Sequence, residues 1–132
     1  CHRNRKGRLN MAVRGIRGAT TCQTDEASIL AATRELLTAI LTANPSLSTA
    51  DIASTWFTVT SDLQLVHPAK AAREMGWNNV PLMCASEIDV PGSLLQCVRV
   101  LIHWNTDLPQ SAVKHIYLHE AAKLRPDLSH AD

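Results

Sequence analysis

The run Cys97-Val-Arg-Val-Leu-Ile-His-Trp104 constrains the fold more than any other segment of the chain. Successive side chains of a strand point to opposite faces, so Val98, Val100, Ile102 and Trp104 make one wholly apolar face, while Cys97, Arg99, Leu101 and His103 share the other. The first face has to be covered by a core. The second is mixed, and Arg99 on it either reaches water or meets an anion, because arginine stays protonated and an unpaired charge out of water is costly. From this strand alone both readings stay open.

The rest of the pattern supplies partners for that strand. Val13 to Thr20 is short and β-compatible, with Gly15 and Gly18 permitting close backbone approach. Thr24 is the expected helix N-cap, with Asp25 and Glu26 in the first turn, where carboxylates suit the helix dipole. Ile29, Leu30, Thr33, Leu36, Leu37, Ile40 and Leu41 then recur at helical spacing until Asn44-Pro45 stops the run, which predicts one long amphipathic helix. Ile52 to Thr60 reads as a strand. Pro68 opens a short helix, Ala69 to Met75, ended by Gly76, with Lys70 and Arg73 three apart on one side. Val80 to Ser86 and Val113 to Leu118 are further expected strands, separated by turn signals at Val90-Pro-Gly-Ser93 and Pro109. The tail Leu124 to Leu128 is too proline-limited for a long helix. Strands interleaved with few helices predict an α/β (α+β) domain, a mixed sheet layered against one long helix.

A chain of 132 residues holds one domain with a substantial core. Hydrophobic residues at 45% and charged residues at 19% fit a folded globular protein and exclude a low-complexity one. No apolar run reaches membrane-spanning length, and no signal sequence opens the chain, so a cytoplasmic protein is expected. Four of the 13 basic residues, Arg3, Arg5, Lys6 and Arg8, lie in residues 1–10 with none of the 12 acidic ones. Residues 1–10 are read as a flexible basic extension or upstream remnant, and 11–132 as the single domain. The domain body is slightly acidic, which argues against nucleic-acid binding, since that calls for a basic face on the folded body. Cys1, Cys22, Cys84 and Cys97 show no zinc-ligand spacing and read as free thiols in a reducing compartment. His115 and His119 fall on an expected strand, where a spacing of four does not make a metal pair.

Outside the extension the candidate functional side chains are Arg17, Lys70, Arg73, Cys84, Glu87, Arg99, Tyr117 and Arg125, and most are cationic. Arginines entering short apolar strands, without a nucleophile and base pair, point to recognition of a small polyanion such as a dicarboxylate.

Six blocks then carry a resemblance. Val13-Arg-Gly-Ile-Arg-Gly-Ala-Thr-Thr21, Pro68-Ala-Lys-Ala-Ala-Arg73, Val98-Arg-Val100, Thr106-Asp-Leu-Pro-Gln110, His115-Ile-Tyr-Leu118 and Leu124-Arg-Pro-Asp-Leu128 stand in the order of the monofunctional AroH-class chorismate mutases, over essentially Met11 to Leu128. The resemblance implies a homotrimer with a mixed sheet arranged as a pseudo-barrel, active sites at subunit interfaces, and conversion of chorismate to prephenate in phenylalanine and tyrosine biosynthesis. It implies no cofactor, no metal, and neither nucleic acid nor membrane as a partner.

Carried over by position, Arg99 matches the family's arginine beside the breaking ether bond. Glu87 matches the glutamate that faces the ring hydroxyl and offsets positive charge developing on the ring. Arg17 and Tyr117 match positions holding the side-chain carboxylate, and Cys84 a cysteine lining the same pocket. Lys70, Arg73 and Arg125 match mouth positions that steer the dianion in or close over it. Cys97, two residues from Arg99, is expected to pack beside the guanidinium rather than act as a nucleophile. Two positions depart from the pattern. His67 precedes Pro68 where relatives often carry phenylalanine, and Met83, also placed in the substrate pocket, stands where a small polar residue can occur. A competing reading is a non-catalytic trimeric binder of a small carboxylate, which would need the cations but has no use for Glu87.

Overall fold

Two ten-residue strands, β1 (Ala12–Thr21) and β4 (Cys97–Thr106), pair antiparallel along their whole length, from Ala12 opposite Thr106 to Thr21 opposite Cys97. They form the spine of the computed structural model, which describes residues 11–124. The 1–10 extension, Arg125 and the tail beyond Leu124 lie outside the described residues. β2 (Ile52–Val59) adds antiparallel to β4. At the two edges, β3 (Leu82–Ser86) runs parallel to β2 and β5 (Ile116–Tyr117) parallel to β1, giving the order β3-β2-β4-β1-β5.

One face of this sheet is covered. Val98, Val100, Ile102 and Trp104 are all buried, as the alternation requires. Over them lies α1 (Glu26–Ala43), whose Leu36, Leu37 and Ile40 join Ile16, Phe57 and the β4 residues in the main core. The short α2 (Ala69–Glu74) adds Ala69 and Ala72. Gly18 suits this packing, because a side chain there would press on three neighbours at once. A Cβ there would stand 3.0 Å from Ile40 Cδ1, 3.1 Å from Val100 Cγ1 and 3.2 Å from the Ile116 carbonyl oxygen. Gly15 meets no such pressure, since a Cβ would find only Leu101 at 3.7 Å.

The helix ends show how local chemistry sets boundaries. The N-cap is Asp25 rather than Thr24: its carboxylate accepts from the Ser28 N–H at 3.0 Å, placing a full negative charge on the exposed amides of the first turn. α2 ends at Gly76, whose φ of +94° lets the Trp77 N–H return to the Ala72 carbonyl and the Gly76 N–H to that of Arg73. At the end of α1 the Asn44 amide donates to the Ile40 carbonyl and to the Lys114 carbonyl, and its oxygen accepts from the Lys114 N–H.

That clamp explains why β5 is two residues long instead of the expected Val113 to Leu118. The backbone of Lys114 is committed to Asn44, and the ladder begins only at Ile116. His119 lies in a 3-10 turn, His119–Lys123, with a φ of 55°. β3 likewise begins at Leu82 rather than Val80, because Pro81 has no N–H to offer, although its carbonyl accepts from Thr55.

Thr55 carries a defect of the core. It is 1% exposed and its hydroxyl has no hydrogen-bond partner among the described residues. Burying an unpaired hydroxyl costs about 1–3 kcal/mol. Thr55→Val, nearly identical in shape, should therefore raise the melting temperature by about 3–5 °C for each kcal/mol recovered. A scanning-calorimetry midpoint at or below that of the parent would contradict this.

Candidate active site

The other sheet face is largely uncovered, and strand register decides what stands on it. Residues paired across strands share a face. Ala85, Thr58, Arg99, Ala19 and Tyr117 are paired in sequence from β3 through β2, β4 and β1 to β5, making one row across the sheet. The neighbouring row is Met83, Trp56, Leu101 and Arg17. A depression of about 260 Å³ forms over these rows, lined by Arg17, Trp56, Thr58, Glu87, Arg99 and Tyr117 among others, with Leu124 at one wall. Tyr117 is buried with Ala19, Cys97 and Ala121, the last from the 3-10 turn that roofs this end of the face.

Glu87 enters the depression from just beyond β3. Its backbone N–H donates to the Val59 carbonyl at 2.9 Å, extending the β2–β3 pairing by one bond. Its carboxylate Oε1 accepts from the Thr58 hydroxyl at 2.6 Å and stands 3.5 Å from Arg99 Nε. The Arg99 and Glu87 side chains are 25% and 24% exposed, so the pair is partly withdrawn from water. Arg99 Nε makes no hydrogen bond among the described residues. That N–H is thus both buried and unpaired, a donor whose desolvation no acceptor within the described residues offsets.

Behind these groups the thiols stay protonated at neutral pH. Burial pushes the Cys97 thiol up, against the opposing pull of the Arg99 guanidinium, and burial pushes that of Cys22 up to about 11. Cys97 is a neutral packing group beside Arg99. His115 Nδ1 accepts from the Arg17 backbone N–H at 3.0 Å, which fixes β1 where Arg17 leaves it. His119 stands 3.0 Å from Glu35 Oε1, so the two histidines face different partners.

A single chain thus brings together Arg17, Glu87, Arg99 and Tyr117, but not the other expected site residues. Cys84 is paired with Phe57 on the covered face and lines a second depression, of about 340 Å³, with His67 and Pro68. Met83, 56% exposed, points from the open face beside Trp56 and does not line the Arg99 depression. Lys70 and Arg73 stand exposed on α2, with Lys70 3.5 Å from Glu26. Thr58 and Trp56 line the depression without having been singled out in the sequence. The signal was there, since their alternation against Thr55, Phe57 and Val59 assigns them to the Arg99 face.

Fold and site together define a class: an α+β protein whose open sheet face carries two guanidinium groups and one carboxylate around a cavity sized for a small anion. Comparison with known proteins narrows it. The family model of chorismate mutase type I matches residues 13–128. Chorismate mutase AroH of Thermus thermophilus is 53% identical over 120 residues, covering 90% of this chain and 98% of the relative. Chorismate mutase AroH of Bacillus subtilis (strain 168) is 46% identical over 121 residues, covering 90% and 94%. Among solved structures, a chorismate mutase from Clostridium thermocellum superimposes with a TM-score of 0.80 at 48% identity, over 83% of this chain and 97% of that one. The chain belongs to the chorismate mutase type I family, and its activity is that of a chorismate mutase, an isomerase. No helix among the described residues is long and apolar enough to cross a membrane.

Proposed function

We propose that the chain rearranges chorismate to prephenate at a site whose charged wall is Arg17, Glu87, Arg99 and Tyr117, and that the site is completed by a second copy in a homotrimer. The carrying observation is the loose pairing of Arg99 with Glu87 at 3.5 Å in one depression, a cation and an anion that a plain carboxylate binder would not need together. In the rearrangement an ether C–O bond breaks while a C–C bond forms within one molecule. No proton is exchanged with the enzyme.

Rate enhancement then comes from holding the compact conformer and from donors placed where charge develops. Arg99 donates to the ether oxygen as it becomes negative, and Glu87 faces the ring hydroxyl and the positive charge growing on the ring. Arg17 and Tyr117 hold the side-chain carboxylate.

The trimer reading is supported by what one chain leaves open. Trp56, Met83 and Val13 are 40%, 56% and 55% exposed on the uncovered sheet face, an apolar surface of the kind that oligomers bury. Cys84, Lys70 and Arg73 do not line the Arg99 depression, and in this reading a neighbouring copy brings them to it as the opposite wall. The three described cysteines are unbridged, in keeping with a cytoplasmic location.

Purified protein incubated with chorismate should accelerate its loss with matching appearance of prephenate, and light scattering should return the mass of three chains. Turnover no faster than the spontaneous reaction would overturn the proposal, and an active monomer would overturn the shared site.

A further inference from the structure

Glu87 and Arg99 carry opposite charges in one depression, and a flexible glutamate beside a guanidinium tends to close onto it. Here it has not. Their separation of 3.5 Å exceeds the 2.7–2.9 Å of a charge-assisted hydrogen bond. What occupies the facing carboxylate oxygen is the Thr58 hydroxyl, at 2.6 Å.

We propose that Thr58 is a positioning residue for the rearrangement: its hydroxyl fixes the Glu87 carboxylate and holds it off Arg99, leaving both charges available to the substrate. The inference rests on the roles proposed above for Glu87 and Arg99. Thr58 is directly opposite Arg99 in the β2–β4 register, so its side chain stands beside the guanidinium on the same face. A β-branched side chain in a strand has few χ1 choices, which makes the hydroxyl a stiff anchor. The adjacent residue, Val59, takes the Glu87 N–H, so both ends of Glu87 are tied to consecutive residues of one strand. Without the hydroxyl only side-chain torsions separate the carboxylate from Arg99. The ion pair would then close and compete with the ether oxygen for the guanidinium.

The test compares Thr58→Val and Thr58→Ser in the parent and in Glu87→Gln, with melting curves to confirm folding. Valine keeps the shape and removes the donor, and a hydrogen bond to a charged group is worth about tenfold in an equilibrium or a rate. Thr58→Val should lower kcat about tenfold with KM little changed, because Arg17 and Tyr117 are untouched. Thr58→Ser should restore most of the loss, and in the Glu87→Gln background the valine should add little. Equal impairment by serine and valine, or an unchanged kcat in Thr58→Val while Glu87→Gln is impaired, would overturn the role of Thr58 alone. Full kcat in Glu87→Gln would overturn the assignment of Glu87 and the Thr58 inference with it.

Discussion

Arg99→Ala should lower the turnover of chorismate by about 10²–10³-fold, the scale set by losing one preorganised donor to a developing oxyanion. The loss falls on kcat because the ether oxygen is a poor acceptor in the bound substrate and a strong one only as its bond breaks. The structure makes the substitution more damaging still. Alanine removes the cation next to Glu87 and leaves that carboxylate, 24% exposed, without its near counter-charge and facing the anion proposed to bind there. Arg99→Lys should recover little, since an ammonium is a point charge and cannot present the planar fork of donors that a guanidinium does. Stopped or continuous assays of chorismate loss across substrate concentrations would separate kcat from KM. Near-parental turnover in Arg99→Ala would place the chemistry on a different strand.

The sheet face that carries the candidate site is legible in the sequence, and the reasons are geometric, whereas the roles of Glu87, Arg17 and Tyr117 come only from the resemblance. The period of two in Cys97–Trp104 assigns each side chain to a face without reference to the rest of the fold, and the burial of Val98, Val100, Ile102 and Trp104 follows it. The helical spacing from Ile29 to Ile40 does the same for α1. Parity also bears on the family-matched residues. Met83 and Ala85 share the Arg99 face through their pairing with Trp56 and Thr58, whereas Cys84 between them is paired with Phe57 on the other face. A resemblance places Cys84 in the pocket but carries no information on whose pocket it lines. Less legible were the features made by side chains reaching across long sequence distances. Asn44 diverting the backbone of Lys114, and with it shortening β5, depends on a contact between the end of α1 and a segment some seventy residues on. Thr58 is less legible for a plainer reason: its alternation with Phe57 and Val59 assigns it to the open face, but nothing in the sequence brings Glu87, 29 residues on, to its hydroxyl.

Phe57→Ala should cost about 3–5 kcal/mol of stability, the largest loss expected of any alanine truncation in β2. Phe57 is 0% exposed, lies between Val100 and Cys84 in the sheet, and belongs to the core that α1 and α2 cover. Truncation loses the transfer energy of the ring and leaves a cavity that a sheet hydrogen-bonded on both sides of β2 closes only in part. At matched chain concentration, since any association of chains would shift the midpoint, the melting temperature should fall by more than about 10 °C. Activity should suffer as well, but differently from Arg99→Ala. Phe57 is flanked by Trp56 and Thr58, whose side chains stand in the depression on the opposite face. A cavity beneath them loosens the strand that holds Thr58 against Glu87 without removing a charge. The folded fraction should therefore keep most of its turnover at low temperature and lose it steeply as the midpoint is approached. A midpoint within about 3 °C of the parent would mean that the covered face of β2 contributes little to the core, and a loss of kcat as deep as that of Arg99→Ala in fully folded protein would mean that Phe57 acts on the chemistry directly.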